Sequence, residues 1–348
     1  MRQFVNKLLN KSDDAAKEVA LATENNVPKP DDADKEENGR EAPQEGEAVT
    51  ADSLPATDEL QKGVDTAVLL ETLISRSIPK PEPDPTEPYL RSAERCHIGA
   101  VRGRNEDSCL TFTAHTGGQE PLLPFGLYIV ADGMGGHHAG HQASRMASRI
   151  VGERILTETY LPLIHQTRNG QAAAPSQPIQ EVLVDAVSTA NMALRNHEPD
   201  KDSGTTLTAV LIFGRRLYLA HVGDSRAYLL LDNTLHLLTT DHSYVRRLQD
   251  VGQLTVEEAA IHPNRNVLYR AVGQGEELEI DTSSRALPAR GRLLLCSDGL
   301  WGLVPDEVMQ AIMEDARPLQ AKADQLIDLA LQAGGHDNIT AVLVEFLL

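Results

Sequence analysis

Six short apolar runs, separated by glycine and aspartate, limit most strongly what this chain can fold into: Leu123–Ala131, Thr206–Phe213, Arg216–Val222, Arg226–Leu231, Arg292–Ser297 and Ile339–Leu347. Runs of this length between turn formers read as strands, and several lack the polar alternation of a half-exposed face, which implies burial on both sides. The runs at 217–222 and 226–231 are joined only by Gly223-Asp224-Ser225, and Asp232-Asn233-Thr234 leads on to Leu235–Leu238. Connections this short leave no room for a parallel crossover, so an antiparallel meander is expected.

Helical spacing appears between the strands. Ala143, Met146, Ala147, Ile150, Val151 and Ile155 share one face, as do Ile179, Val182, Leu183, Ala186, Val187, Ala190 and Leu194. Two long amphipathic helices covering one sheet are therefore expected. Two more follow, one after Pro305 and one from Leu319 to Gln332 that stops at Gly334-Gly335. Strands in the middle with helix pairs on either side imply a layered α+β domain.

The first quarter of the chain has a different texture. Residues 1–90 hold 20 carboxylates against 10 basic side chains, about half of the formal net charge of -19. Proline clusters stand at 28–30 and 79–85, and there is too little apolar surface to offset the entropy of ordering. Residues 1–91 are thus expected to form a mostly disordered acidic tail, with 92–348 as the folded domain. One apolar stretch at 64–75 has the spacing of a short helix. Thr23, Thr50 and Thr57 would suit phosphorylation of a docking tail.

Composition also excludes. The acidic balance argues against a nucleic-acid surface, and no apolar run reaches membrane-spanning length. The N-terminus lacks the apolar core of a signal peptide. Cys96, Cys109 and Cys296 are odd in number and widely spaced, which indicates neither a disulfide framework nor a zinc ribbon, and a reducing cytoplasm fits best.

The chemistry resides in aspartates that follow strands. Asp132 precedes Gly133-Met134-Gly135-Gly136-His137, Asp298 precedes Gly299, and Asp337 precedes Asn338. A single Asp-Gly is more often a plain turn, but its recurrence after apolar strands can aim several carboxylates into one cleft. Such a cluster repels itself and calls for hard, oxygen-preferring cations such as Mg²⁺ or Mn²⁺. Upstream, Arg102, Arg104, Glu106 and Asp107 place guanidinium forks suited to phosphate beside acids suited to metal-bound water.

Arg102 with Glu106-Asp107, Asp132-Gly133-Met134-Gly135-Gly136-His137, Ser203-Gly204-Thr205-Thr206, Val222-Gly223-Asp224-Ser225-Arg226, Ser297-Asp298-Gly299-Leu300-Trp301 and Gly335-His336-Asp337-Asn338 occur in this order. From about Arg95 to the C-terminus the chain resembles the bacterial form of the PP2C (PPM) family of metal-dependent serine/threonine protein phosphatases. The resemblance implies a four-layer α-β-β-α sandwich of two antiparallel sheets, and a monomer that hydrolyses phosphoserine and phosphothreonine in proteins. It implies two Mn²⁺ or Mg²⁺ ions bridged by Asp132, with Asp298 and Asp337 completing one and the Gly133 carbonyl serving the other. Asp107 and Glu106 would hold bound waters, Asn338 would stand behind the ligands, and Arg102 would take the substrate phosphate. Asp224 with Asp298 would form a weaker third metal site. A water shared by ions about 4 Å apart would attack phosphorus, with no covalent enzyme intermediate.

Met134 stands where animal members carry a histidine after the Asp-Gly, so the general acid is unassigned. His137, His138 and His141 invite a zinc reading, which ranks lower because no further His or Cys completes it. Residues 241–275, with Arg246, Arg247, Arg265 and Arg270, match the family's flap beside the active site. Two other readings remain open here: a catalytically dead relative acting as a binding module, and a phosphatase of small metabolites.

Overall fold

The computed structural model describes residues 88–115, 122–135, 139–167, 177–197 and 203–348. Residues 1–87, including the expected helix at 64–75, lie outside these, as do His137 and His138.

The described chain opens with strands β1 (Tyr89–His97), β2 (Asp107–Ala114) and β3 (Phe125–Met134). Residues 89–91, placed by composition in the tail, are therefore strand. Helix α1 (Ala139–Ile155) runs through a π-helical turn (Leu156–Tyr160) into α2 (Leu161–Thr167), and α3 (Ile179–His197) follows. Next come β4 (Gly204–Thr205), β5 (Leu207–Phe213), β6 (Arg216–Val222), β7 (Arg226–Leu231), β8 (Thr234–Leu237) and the short helices α4 (Tyr244–Asp250) and α5 (Val256–Ala260). The chain closes with β9 (Asp281–Ala286), β10 (Arg290–Cys296), α6 (Asp298–Trp301), α7 (Asp306–Glu314), α8 (Leu319–Gln332) and β11 (Ile339–Leu347).

Two antiparallel sheets form. One has the order β1-β11-β10-β7-β8, the other β2-β3-β5-β6-β9 with β4 paired to β3. The strand period of two sorts side chains between two cores. Phe125, Leu127, Ile129 and Ala131 of β3, with Leu207, Ala209 and Leu211 of β5, pack on α1 and α3. Their alternates Tyr128, Val130, Val210 and Ile212 meet Leu293 and Leu295 of β10 and Val342 and Val344 of β11 between the sheets. Burial on both faces explains why these strands read as unbroken apolar runs. Met309, Ile312, Leu326 and Ile327 bury the inward faces of α7 and α8 against the far side of the first sheet. This is the expected α-β-β-α sandwich.

The meander expectation fails at one place. β6 pairs with β5 and β9, whereas β7 pairs with β10 and β8, so the chain crosses from one sheet to the other at Gly223-Asp224-Ser225. Of the expected meander, β7 and β8 remain as a hairpin, closed by Asp232 and Asn233 at φ 46° and 59°. Positive φ at both central residues gives the turn whose twist matches the flanking strands. The crossover places Asp224 at the shared edge of the two sheets instead of on an outer turn.

Candidate metal centre

The candidate cleft opens at the strand ends on one rim of the sandwich. Asp132 lies near the end of β3, directly opposite Asp107 at the start of β2. Asp224 occupies the sheet crossover, Asp298 opens α6 after β10, and Asp337 precedes β11. Arg102, Glu106, Asp132, Gly133, Asp224, Asp298, Asp337 and Asn338 line one cavity of about 240 Å³, with Asn266 and Leu268 on its margin. Eight of the nine expected site residues thus line the same wall, and the ninth, Asp107, lies just behind it.

Each carboxylate is held by its surroundings. The Asp132 N–H donates to Thr206 Oγ1 at 2.8 Å, and the Thr206 N–H donates to the Asp132 carbonyl at 2.8 Å. Thr205 Oγ1 donates to that carbonyl too, at 2.9 Å. Asp107 Oδ2 accepts from Ser297 Oγ and Thr340 Oγ1, both at 2.7 Å, which ties it to β10 and β11 of the other sheet. Asn338 binds the preceding arm together: its Nδ2 donates to the Ile98 and Arg104 carbonyls, and its Oδ1 accepts from the Glu106 N–H at 2.7 Å. Gly133 is required by close approach, because a Cβ there would run into the carbonyls of Gly140 and Glu106. That absence lets the start of α1 sit against the end of β3.

Asp224 has its own buttress. Trp301 Nε1 donates to the Asp224 carbonyl at 2.9 Å, Arg226 stacks 3.6 Å over the Trp301 ring, and Arg226 clasps Asp241 through Nε and Nη2. Arginine's planar fork suits stacking and bidentate pairing at once. The roles of Thr340, Ser297 and Asp241 have no signal of their own in the sequence. The only hint is polarity inside or beside otherwise apolar strands.

The electrostatics are those of a cation site. Burial and the neighbouring Asp107 raise the Asp132 carboxyl well above the usual range, and burial with Asp298 does the same to Asp224. Burial pushes Asp107 up to about 7, its hydroxyl partners opposing. Asp298 rises to about 6, through burial first and Asp337 second. Asp107 Oδ1 and Asp298 Oδ1 are buried with no hydrogen-bond donor. Orphaned oxygens and mutually repelling carboxylates are what a hard divalent ion relieves, so the donor set fits Mg²⁺ or Mn²⁺. Among the described residues no three such groups converge tightly as they stand. Arg102, the one cationic side chain on the cleft wall among the described residues, donates from Nη2 to Asp337 Oδ2 at 2.7 Å. Of the three histidines of the zinc reading only His141 lies within the described residues, with its Nε2 3.3 Å from Arg145 Nη1.

Comparison with known proteins agrees with this geometry. The family model described as "Protein phosphatase 2C" matches residues 103–347. The chain belongs to the protein phosphatase 2C family. Within that family it is similar to the serine/threonine phosphatase Stp of Listeria welshimeri, 37% identical over 251 residues that cover 72% of this chain and 94% of the relative. It is 32% identical to a solved serine/threonine phosphatase of S. agalactiae, with a TM-score of 0.61 over 74% of this chain and 99% of that one. The catalytic domain of the serine/threonine protein phosphatase PstP, solved in complex with two manganese ions, is 35% identical, with a TM-score of 0.58 over 75% of this chain and all of that one.

Proposed function

We infer that this protein phosphatase 2C member hydrolyses phosphoserine and phosphothreonine in proteins, using two Mn²⁺ or Mg²⁺ ions held by the strand-end carboxylates. The observation that carries it is the shared lining of one cavity by Asp132, Asp224, Asp298 and Asp337, with Arg102 the only lining cation among the described residues. Asp132, Asp298, Asp337 and the Gly133 carbonyl would hold the ion pair, with Asp224 available to a weaker third ion. Asp107 and Glu106 would orient bound water. The ions, once bound, supply Lewis acidity and acidify water to a nucleophile near neutral pH.

Arg102 is half exposed and pairs with Asp337. With Asp337 serving as a metal ligand, the guanidinium would be free to turn to the cavity, where its fork matches two phosphoryl oxygens. Thr206, bonded to Ser225 Oγ at 2.8 Å and to the Asp132 N–H, and Asn338, bonded to the Glu106 N–H, brace the carboxylate wall. The similarity of the chain to named serine/threonine phosphatases supports phosphoproteins as substrates.

Residues 241–275 are proposed as the flap over this cleft. Asn266 and Leu268 border the cavity, which supports that placement. Arg246 pairs with Asp250 and Arg270 with Asp281, so the substrate-facing role expected of these two arginines competes with existing ion pairs. We further propose a cytoplasmic monomer that reverses Ser/Thr kinase signalling. The acidic charge of -19 opposes a nucleic-acid partner, and no helix among the described residues is long and apolar enough to cross a membrane.

The test is phosphate release from a phosphothreonine peptide with Mn²⁺, with EDTA, and with Asp132→Ala or Asp337→Ala. Metal-dependent turnover, lost with EDTA and in both variants, is expected. Absence of turnover by folded, metal-loaded protein would refute the reading in favour of a binding module.

A further inference from the structure

Two thiols that the cleft does not use are set side by side by the fold. Cys96 lies on β1, an edge of the five-stranded sheet, and Cys109 lies on β2, an edge of the other sheet; their Sγ atoms are 3.2 Å apart. Cys96 is exposed, Cys109 is half-buried, and Cys296 is buried in β10. The segment between the pair, 97–108, is the arm that carries Arg102, Glu106 and Asp107.

Both ends of this pair reach the site through one residue. Cys96 stands opposite Thr340 of β11, whose hydroxyl holds Asp107. Cys109 stands opposite Val130 of β3, two positions before Asp132. A bond between the sulfurs therefore closes the arm into a ring and ties the sheets together beside the facing pair Asp107 and Asp132.

We propose that Cys96 and Cys109 are a redox site, forming a reversible disulfide that clasps the base of the Arg102 arm and lowers turnover. The oxidant is a peroxide. The exposed Cys96 sulfur attacks one peroxide oxygen, the O–O bond breaks, and a sulfenic acid and water result. The Cys109 sulfur then displaces the second oxygen as water, and the S–S bond forms. Two thiols lose two electrons and two protons, and one peroxide becomes two waters. A dithiol reductant reverses the bond by exchange.

The geometry gives the direction of the effect. A disulfide spans about 2.05 Å between sulfurs, so closure brings the two sulfurs, now 3.2 Å apart, roughly 1 Å nearer. Arg102 must leave Asp337 to meet a phosphoryl group, and a ring closed at its base restricts that movement. A phosphate-binding group held about 1 Å from its productive position costs up to about 100-fold in rate.

The experiment treats the reduced full chain with hydrogen peroxide and follows intact mass, thiol titre after denaturation, and phosphopeptide turnover. A loss of two hydrogens, a titre falling from three thiols to one, and a cross-linked peptide pair joining Cys96 to Cys109 are expected. Turnover should fall on the order of tenfold and recover with dithiothreitol. Cys96→Ser should match the untreated protein in turnover before and after peroxide. A titre that stays at three, a bond between two chains, over-oxidation of Cys96 without a disulfide, or a disulfide with unchanged turnover each overturns the proposal. The turnover arm rests on the phosphatase reading, whereas mass and titre do not. Failure of that reading shows separately, as absent turnover in the reduced protein.

Discussion

At the scale of the residue, the site is a set of carboxylates that the surrounding hydroxyls make tolerable. Asp107 is buried and keeps only Ser297 and Thr340 as donors to one of its oxygens. Thr340→Val removes one of these at nearly constant volume, so the metal-free protein should lose about 1–3 kcal/mol of stability in urea denaturation. His221 gives a second, pH-dependent expectation. Burial pushes its pKa down to about 4, with His242 adding to the shift while Asp241, Asp281 and the Thr240 carbonyl oppose it. Its Nδ1 lies 3.0 Å from Thr208 Oγ1 and its Nε2 3.1 Å from the Thr240 carbonyl. An unfolded histidine titrates near 6.5, so between there and about pH 4 the unfolded chain binds a proton that the folded chain refuses. Stability from this group is complete above pH 6.5 and falls by about 1.4 kcal/mol per pH unit below it. The stability advantage over His221→Gln should therefore shrink by roughly 2 kcal/mol between pH 6.5 and 5 in paired urea titrations. An advantage independent of pH would contradict the account.

Elements deliver those residues to one rim, and here the sequence was legible in some strands and not in others. β3 and β5 were visible because both faces are buried, which leaves an unbroken apolar run. β9, Asp-Thr-Ser-Ser-Arg-Ala, pairs with β6 alone and is mostly solvent-facing, so its composition carries no strand signal. β1 is likewise an edge strand of mixed polarity, which is why the expected boundary fell after its first residues. The crossover after β6 was misread for a different reason. Gly223-Asp224-Ser225 has the composition of a hairpin turn, and only the pairing of β7 with β10, more than sixty residues on, shows that it changes sheets. The approach of β3 to α1 is a testable element of the design: Gly133→Ala drives a methyl into the Gly140 carbonyl. Thermal and urea unfolding should show a loss of about 1–3 kcal/mol, accompanied by reduced turnover.

At the scale of the whole molecule, two sheets each contribute acids to a rim that neither could neutralise alone. Asp107 and Asp132 come from one sheet, Asp298 and Asp337 flank strands of the other, and Asp224 lies between them. Asp132, Asp224, Asp298 and Asp337 were legible because each stands at a strand end beside glycine or asparagine. Their supports were not, since Thr340 and Ser297 reach Asp107 across 233 and 190 positions of sequence. Nor does the sequence indicate that Arg102 rests on Asp337. Because mutual repulsion destabilises the metal-free fold, Mn²⁺ at about 100 times its dissociation constant should stabilise the protein by about 2.7 kcal/mol, seen as a higher Tm. The most direct test of the central claim is a calorimetric Mn²⁺ titration of the full chain beside its Asp132→Asn variant. The account predicts two ions bound per chain, both weakened in the variant while its fold is kept; a folded wild-type chain that binds no Mn²⁺, or a variant that binds it unchanged, would contradict it.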